Sequence, residues 1–282
     1  MSKILRKFLY LAQLIKVKQL TCDISFSKKP PSPYIEELVD YGAETGHVLS
    51  TQCLQPFILS IFLYRGANQH KKYPAVIEFH AFTGRTEFDN QKARDLAKLG
   101  YVAFASDVYG KGVASNDTNE NFALMAQMLS LRTTTLQQRI RAAWNLVKQL
   151  PYVDSQKIGC IGFCFGGLTC LDLARFDVGL KAAVSFHGTL TDYPGNNTSI
   201  GASIQAHHGD IDPHTTNADA ESFKEEMRAR NADWFFTSYS DAMHAFTLPG
   251  VENWGIPGAA YNEKADKRSW TAMQTFLAEK LL

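Results

Sequence analysis

The 282-residue chain has no large excess of charge, no long apolar run and few cysteines. Its 29 Lys and Arg residues are balanced by 28 Asp and Glu residues, so nothing electrostatic favours binding to nucleic acid or an acidic membrane surface. No stretch reaches the ~18 apolar residues that a membrane-spanning helix needs. Five cysteines without the spacing of a disulfide framework indicate a reducing compartment and predict a cytoplasmic protein.

The amino terminus is the segment closest in pattern to a targeting signal. Basic residues up to Lys7 precede an apolar stretch at 8–15, but Lys16 and Lys18 follow at once and no small-residue cleavage site is present. A short amphipathic helix is therefore favoured over a signal peptide. We interpret residues 1–33, which end in a proline-rich run, as an extension and linker, and residues 34–282 as one domain.

The rest of the chain alternates short apolar segments with longer segments of helical periodicity. Strands are predicted at 58–64, 75–79, 101–105, 157–161, 181–186, 203–207 and 234–239, and helices at 90–99, 136–147, 165–175, 217–230 and 265–281. Continuous apolar strands that alternate with helices are typical of a buried parallel sheet. The pattern predicts an α/β fold with a mostly parallel, doubly wound sheet and helices on both faces.

The run Gly162-Phe163-Cys164-Phe165-Gly166-Gly167 follows a predicted strand and opens a predicted helix. It has the G-x-S-x-G pattern of a nucleophile elbow with Cys164 in place of Ser. The helix amino terminus favours a thiolate, and the backbone N–H of Phe165 follows the nucleophile, as an oxyanion donor does. The alternative is a glycine-rich turn with an inert cysteine.

A nucleophile elbow predicts an acid and then a histidine further along the chain. Asp212 lies in the loop after the 203–207 strand, and His244 follows the 234–239 strand. In this order His244 would take the thiol proton and Asp212 would orient the imidazole. Asp210 competes with Asp212 for that place, although its position also suits a turn former.

Two further features of the same loops bear on the site. A metal site is the other interpretation of the clustered residues His207, His208, Asp210, Asp212 and His214, but their spacing matches no common metal motif, and we predict no metal. The loop at 80–84, after the 75–79 strand, should supply the second oxyanion donor, for which we choose the backbone N–H of Phe82. The predicted substrate contacts are Arg85, Tyr109, Phe163, His187 and Phe246.

With these residues in place, the chain resembles the dienelactone hydrolase family of α/β-hydrolases from about Val39 to Leu282. The motifs that carry the resemblance are 99–103 with 107–110, the elbow at 162–167, Phe186-His187-Gly188, 209–212, His244-Ala245-Phe246 and the segment from Tyr261 to Trp270. The resemblance implies a Cys–His–Asp hydrolase that acts on esters or lactones without a metal or organic cofactor.

Two positions depart from that family's pattern. Members that cleave dienelactones carry a Glu just before the oxyanion-loop residue, where this chain has Ala81, and an Arg four residues after the catalytic His, where it has Leu248. Because an apolar residue cannot pair with a substrate carboxylate, a charged lactone is a doubtful substrate. Arg85 is the candidate replacement.

These observations support a small-molecule carboxylic-ester or lactone hydrolase. The alternatives are a binding or redox-responsive protein that kept the fold and an exposed low-pKa thiol, and a thioesterase or acyltransferase that shares the acyl-enzyme chemistry. The sequence does not indicate an oligomeric state.

Overall fold

The eight strands of the computed structural model form a single sheet, and six of them run parallel. The structure describes residues 34–41, 59–66 and 72–282. The strands are β1 Tyr34–Tyr41, β2 Leu59–Gly66, β3 Tyr73–Phe79, β4 Val102–Ser106, β5 Val153–Phe163, β6 Ala182–Phe186, β7 Ser203–Gly209 and β8 Trp234–Tyr239. Residues 1–33, predicted as an extension and linker, lie outside the described residues, so the domain boundary stays a prediction.

The strand order is β1-β2-β4-β3-β5-β6-β7-β8. The pairs β1–β2 and β2–β4 are antiparallel, and every pair from β4 to β8 is parallel. The predicted mostly parallel sheet is therefore confirmed. Because parallel strands end at the same edge, the loops after β3, β5, β7 and β8 share one edge of the sheet.

Helices connect the strands and cover the sheet. Within residues 72–282 they are α1 Glu87–Lys98, α2 Thr118–Ser130, α3 Gln137–Gln149, α4 Phe165–Arg175, α5 Asn217–Ala229 and α6 Glu263–Leu281. Helix α1 begins three residues earlier than predicted because Thr86 caps it: its side chain accepts from the Phe88 N–H, and Asp89 accepts from the Thr86 N–H. No helix of the described ranges has the length and apolar character to cross a membrane.

Helix α2, the turn after it and strand β1 were not predicted from the sequence. Helix α2 begins after Asp117, whose carboxylate accepts the N–H groups of Asn119 and Glu120, and apolar residues on its exposed side as well as its covered side hide the helical period. A π-helical turn, Arg132–Leu136, joins α2 to α3. Strand β1 pairs antiparallel at the edge of the sheet. The other strand and helix predictions agree with the structure within a few residues, except β5, which starts at Val153.

Each face of the parallel sheet carries its own buried apolar cluster. One cluster joins β3, β4 and β5 to α3 and α4, through residues such as Ile77, Ile140 and Leu171. The other joins the opposite side of the same strands to α1 and α6, through residues such as Ile161 and Leu277. Fully buried apolar surface of this kind is the main driving force of folding, and it holds the loop-bearing edge of the sheet rigid.

Candidate active site

Cys164 lies in the tight turn between β5 and α4. Its φ of 54° is positive, a strained conformation for a residue with a side chain. A Cβ atom on Gly162 would overlap the carbonyl oxygen of Gly166, and one on Gly166 would overlap the carbonyl oxygen of Phe79. Glycine is therefore required two residues before and two residues after Cys164, which explains the spacing of the motif.

Asp212, His244 and Cys164 are in contact in that order. The Oδ2 atom of Asp212 lies 2.8 Å from Nδ1 of His244, and Nε2 of His244 lies 3.1 Å from Sγ of Cys164. The other Asp212 oxygen accepts the backbone N–H groups of His214, at 2.7 Å, and Thr215, at 3.1 Å. Because the carboxylate is held as an acceptor, Nδ1 of His244 donates to it and Nε2 is directed at the sulfur.

The contact between Cys164 and His244 changes the pKa of both groups. Burial raises the pKa of the Cys164 thiol, but the charge and hydrogen bond of His244 and the backbone N–H groups of Phe165 and Phe82 outweigh it, so the net pKa lies below its usual value. Burial lowers the pKa of His244, but the Cys164 thiolate and the Asp212 hydrogen bond raise it to about 10. Both shifts favour a thiolate beside an imidazolium.

The predicted oxyanion donors, Phe82 and Phe165, both direct their backbone N–H groups at the Cys164 sulfur. The loop that carries Phe82 is held by hydrogen bonds to the loop after the neighbouring strand, β4. The hydroxyl of Tyr109 donates to the carbonyl oxygen of Phe82 at 2.9 Å, and Nε2 of His80 accepts the backbone N–H of Val108 at 3.1 Å. These bonds hold the amide of Phe82 in place before any substrate is bound.

A cavity of about 220 Å³ opens beside Cys164. Its walls are Phe82, Phe122, Met125, Cys164, Thr189, His214, His244, Ala245, Leu248, Val251, Ile256 and Ala259. Apart from the Cys164–His244 pair, only Thr189 and His214 bring polar side chains to it. Helix α2 supplies Phe122 and Met125, which the sequence analysis missed because the helix itself was not predicted. The Asp117 cap was the available signal.

Five residues were predicted to contact substrate, and none of them lines this cavity. Phe163 is fully buried on the face covered by α1 and α6, where it stacks on Phe186 at 4.8 Å. Side chains alternate along a strand, and that alternation directs Phe163 away from the site. Arg85 donates to the side chain of Asn90 at 2.9 Å, beside the start of α1.

The other three predicted contacts, Tyr109, His187 and Phe246, pack near Cys164 and His244 but do not line the cavity. Tyr109 supports the Phe82 carbonyl, as described above. His187 is fully buried, its ring meets that of His244 at 5.3 Å, and its Nε2 bonds the Thr247 hydroxyl at 2.8 Å. Phe246 packs behind His187 at 5.1 Å. The motif residues thus pack around the Cys164–His244 pair, and less conspicuous positions line the cavity.

The loop after β7 separates the two aspartates. Asp210 is exposed and accepts from the Ser238 hydroxyl at 2.8 Å, whereas Asp212 is buried against His244. Side chains of His207 and His208 are buried away from the cavity. Within the described ranges, no group of three or more His, Cys, Asp or Glu side chains is arranged to hold a metal ion.

The cysteines beside the elbow differ from expectation. Cys160 of β5 and Cys170 of α4, whose spacing predicts no disulfide framework, are joined by a disulfide. They are brought together because β5 and α4 pack against each other on either side of the elbow. Cys164 is the free cysteine of the described chain, and it is partly exposed. Cys22 and Cys53 lie outside the described residues.

Comparison with known proteins agrees with this architecture. The model of the dienelactone hydrolase family matches residues 60–281. An uncharacterised protein of Caenorhabditis elegans is 46% identical over 155 residues, which cover 54% of this chain and 98% of that protein. A putative carboxymethylenebutenolidase of Methylorubrum extorquens is 27% identical over 62% of this chain and 63% of its own length.

Solved structures extend the likeness to the whole described sheet. A dienelactone hydrolase-like promiscuous phosphotriesterase from metagenomic libraries is 30% identical, with a TM-score of 0.80 over 89% of this chain and 100% of its own. A dienelactone hydrolase homologue from Klebsiella pneumoniae, 21% identical, shares the fold with a TM-score of 0.67 over 86% of this chain and 99% of its own.

Proposed function

The chain belongs to the dienelactone hydrolase family of α/β-hydrolases, and from this premise we propose that it hydrolyses small carboxylic esters or lactones through a Cys164–His244–Asp212 triad. The observation that carries the proposal is the unbroken row of contacts from Asp212 through His244 to the Cys164 sulfur. An activated nucleophile, a base in contact with it and a third group that orients the base are the parts that covalent catalysis requires.

In the acylation step the Cys164 thiolate attacks the ester carbonyl carbon. The carbonyl oxygen becomes an oxyanion, which the backbone N–H groups of Phe82 and Phe165 stabilise. When the tetrahedral intermediate collapses, the bond to the alcohol oxygen breaks and the His244 imidazolium gives that oxygen its proton. The acyl group is then a thioester on Cys164, and His244 is neutral.

Deacylation reverses these roles. Neutral His244 takes a proton from a water molecule as that water attacks the thioester carbonyl, and the same two amides stabilise the second oxyanion. Collapse breaks the bond to sulfur, releases the carboxylic acid and restores the Cys164 thiolate beside the His244 imidazolium. Throughout, Asp212 holds Nδ1 of His244 and stabilises its positive charge without taking the proton. Each proton transfer uses groups of this chain.

Two alternatives share parts of this site. A thioesterase or acyltransferase would form the same acyl-enzyme but differ in the donor or acceptor. A redox-responsive protein would use the partly exposed, low-pKa thiol of Cys164 without turnover. Product analysis with an acyl thioester and an added alcohol separates the first from hydrolysis. Reversible oxidation of Cys164 in a peroxide titration, in a protein without ester turnover, would favour the second.

The test is a panel of short aryl esters and lactones with wild type, Cys164→Ala and His244→Ala, each checked for folding by thermal unfolding. We expect wild-type turnover and a loss of about 10³-fold or more in kcat in either variant. We also expect an acyl adduct on Cys164 by mass spectrometry of the wild type with a slow ester. Undiminished ester hydrolysis in Cys164→Ala would falsify the proposal.

A further inference from the structure

We propose that the cavity beside Cys164 accepts uncharged, mainly hydrocarbon acyl groups and excludes acyl groups that carry a carboxylate. This inference rests on the proposed function, because it concerns the acyl group that Cys164 would carry. It goes beyond that function by assigning a substrate class to a cavity whose walls were not apparent in the sequence.

The first argument is the chemistry of the walls. Eight of the twelve side chains around the 220 Å³ cavity are apolar, and none belongs to a Lys, Arg, Asp or Glu. One wall is formed by Leu248, Val251 and Ala259, which pack into one apolar cluster with Ala245. Methylene and methyl groups placed there would be removed from water without leaving a polar group unpaired.

The second argument is the charge of the site itself. The thiolate of Cys164 and the imidazolium of His244 neutralise each other, and the imidazolium is engaged with the thiolate and with Asp212. A substrate carboxylate in the cavity would lose its hydration, face the thiolate and find no Lys or Arg among the lining side chains. A buried charge without a partner is strongly unfavourable.

The third argument is where the neighbouring cations are held. Arg132, which follows the helix that supplies Phe122, makes two bonds to Asp172 of α4, at 2.7 and 2.8 Å. Arg139 donates to the carbonyl oxygen of Val108 at 2.6 Å, and Arg85 donates to Asn90. To pair with a substrate anion, each guanidinium would have to leave these bonds.

Aromatic side chains continue this apolar surface beyond the cavity walls. Phe82 stacks on Phe122 of α2 with ring centroids 4.3 Å apart, and the ring of Trp254 lies 6.2 Å from Phe82. Trp254 is 39% exposed. Apolar surface therefore extends from the cavity to an exposed aromatic ring, which suits hydrocarbon chains rather than anions.

The experiment compares two esters of matched shape. One is 4-nitrophenyl 5-methylhexanoate and the other is mono-4-nitrophenyl glutarate, in which a carboxylate replaces the terminal isopropyl group. Both are measured with wild-type enzyme and corrected for hydrolysis without enzyme. We expect kcat/KM to favour the neutral ester by about 100-fold or more. Values within about threefold, or a preference for the glutarate ester, would overturn the inference.

A charge-adding variant shows whether the missing cation is the cause. Met125, a partly buried residue of α2, lines the cavity, and Met125→Lys adds a cation there while Met125→Gln is the neutral control. We expect Met125→Lys, but not Met125→Gln, to shift the ratio toward the glutarate ester by about 10-fold or more. An equal shift in both variants contradicts the charge argument.

Failure of this inference is distinguishable from failure of the proposed function. Equal, Cys164-dependent turnover of both esters would overturn only the inference. If neither ester is turned over, the proposed function fails for them, and the cavity is tested by protection of Cys164 against iodoacetamide. Protection by 5-methylhexanamide and not by the matched monoamide of glutarate supports the inference, whereas equal protection, or protection by neither, overturns it.

Discussion

The hydroxyl of Tyr109 donates to the backbone carbonyl of Phe82 at 2.9 Å, from the loop after β4 to the loop after β3. Both side chains are almost fully buried. A second hydrogen bond joins the same two loops, from the backbone N–H of Val108 to Nε2 of His80. The loops after two neighbouring parallel strands thus brace the peptide whose N–H is directed at Cys164, and Tyr109, predicted to contact substrate, bonds that peptide and does not line the cavity.

The first prediction concerns that bond. Tyr109→Phe removes the hydroxyl but keeps the ring. We expect kcat for a short ester to fall about 10-fold and KM to change less than about threefold. The reason is that a loosened oxyanion donor stabilises the transition state less, while binding of the ground-state substrate is little affected. The matched control is Tyr193→Phe, since the buried hydroxyl of Tyr193 has no hydrogen-bond partner among the described residues. Equal effects of the two variants would point to a general packing defect.

The second prediction separates the two aspartates of the loop after β7. Asp212→Asn keeps the shape of the side chain but removes the charge that orients and stabilises the His244 imidazolium, and we expect kcat to fall about 10³- to 10⁴-fold. Asp210→Asn is the control, because Asp210 is exposed and bonds only Ser238 among the contacts described for its side chain. We expect it to retain activity within about threefold. Steady-state kinetics of the pair decides the assignment.

The third prediction is a pH dependence. Cys164 reacts as a thiolate above its lowered pKa, and His244 stays protonated until the pH passes about 10. We therefore expect kcat/KM to rise with pH through the Cys164 pKa and to fall as pH rises through about 10, where the proton for the leaving group is lost.

The control for this pH profile is the alkylation of Cys164 by iodoacetamide. In His244→Gln the imidazolium is absent, so the thiol pKa rises and the alkylation profile moves to higher pH. The same alkylation profile in wild type and His244→Gln would mean that His244 does not set the thiol pKa.

The fourth prediction concerns the bond between Cys160 and Cys170. Trypsin releases Cys160, Cys164 and Cys170 in one peptide, 158–175, because it cleaves after Lys157 and after Arg175. Without reductant we expect that peptide to be two hydrogens lighter and to carry one alkylated thiol, at Cys164. After reduction it should carry three.

The disulfide should also contribute to stability. In a Cys164→Ala background, which prevents thiol exchange, reduction should lower the free energy of unfolding by about 2–3 kcal/mol for a loop of this length. Disulfides are rare in the reducing compartments that the cysteine count predicted. Three alkylated thiols without reductant would instead agree with a reducing compartment.

Much of the fold and of the candidate triad was predictable because it depends on local rules. The continuous apolar strands predicted the parallel sheet, and the Gly-x-Cys-x-Gly spacing placed Cys164 in a turn that tolerates no Cβ two residues away on either side. The order of Asp212 and His244 followed from the topology, since loops after parallel strands meet at one edge.

The residues that line the cavity could not be predicted from such local rules. Phe163 and Phe246 are conspicuous in the motifs, but strand alternation and loop packing bury both away from the cavity. The cavity walls include Phe122, on a helix without a clear amphipathic period, and Val251 and Ile256, in the segment between β8 and α6. Such positions acquire meaning only when distant segments pack together.

The sequence by itself determined most of the elements and the tight turn that holds the Cys164 thiol, because backbone sterics, capping and apolar periodicity act over a few residues. Tertiary structure decided what surrounds that thiol. It joined Cys160 to Cys170, set Tyr109 against Phe82 and formed a mainly apolar cavity beside Cys164. These relationships join residues of different elements, and their distances depend on how helices and loops pack on the sheet.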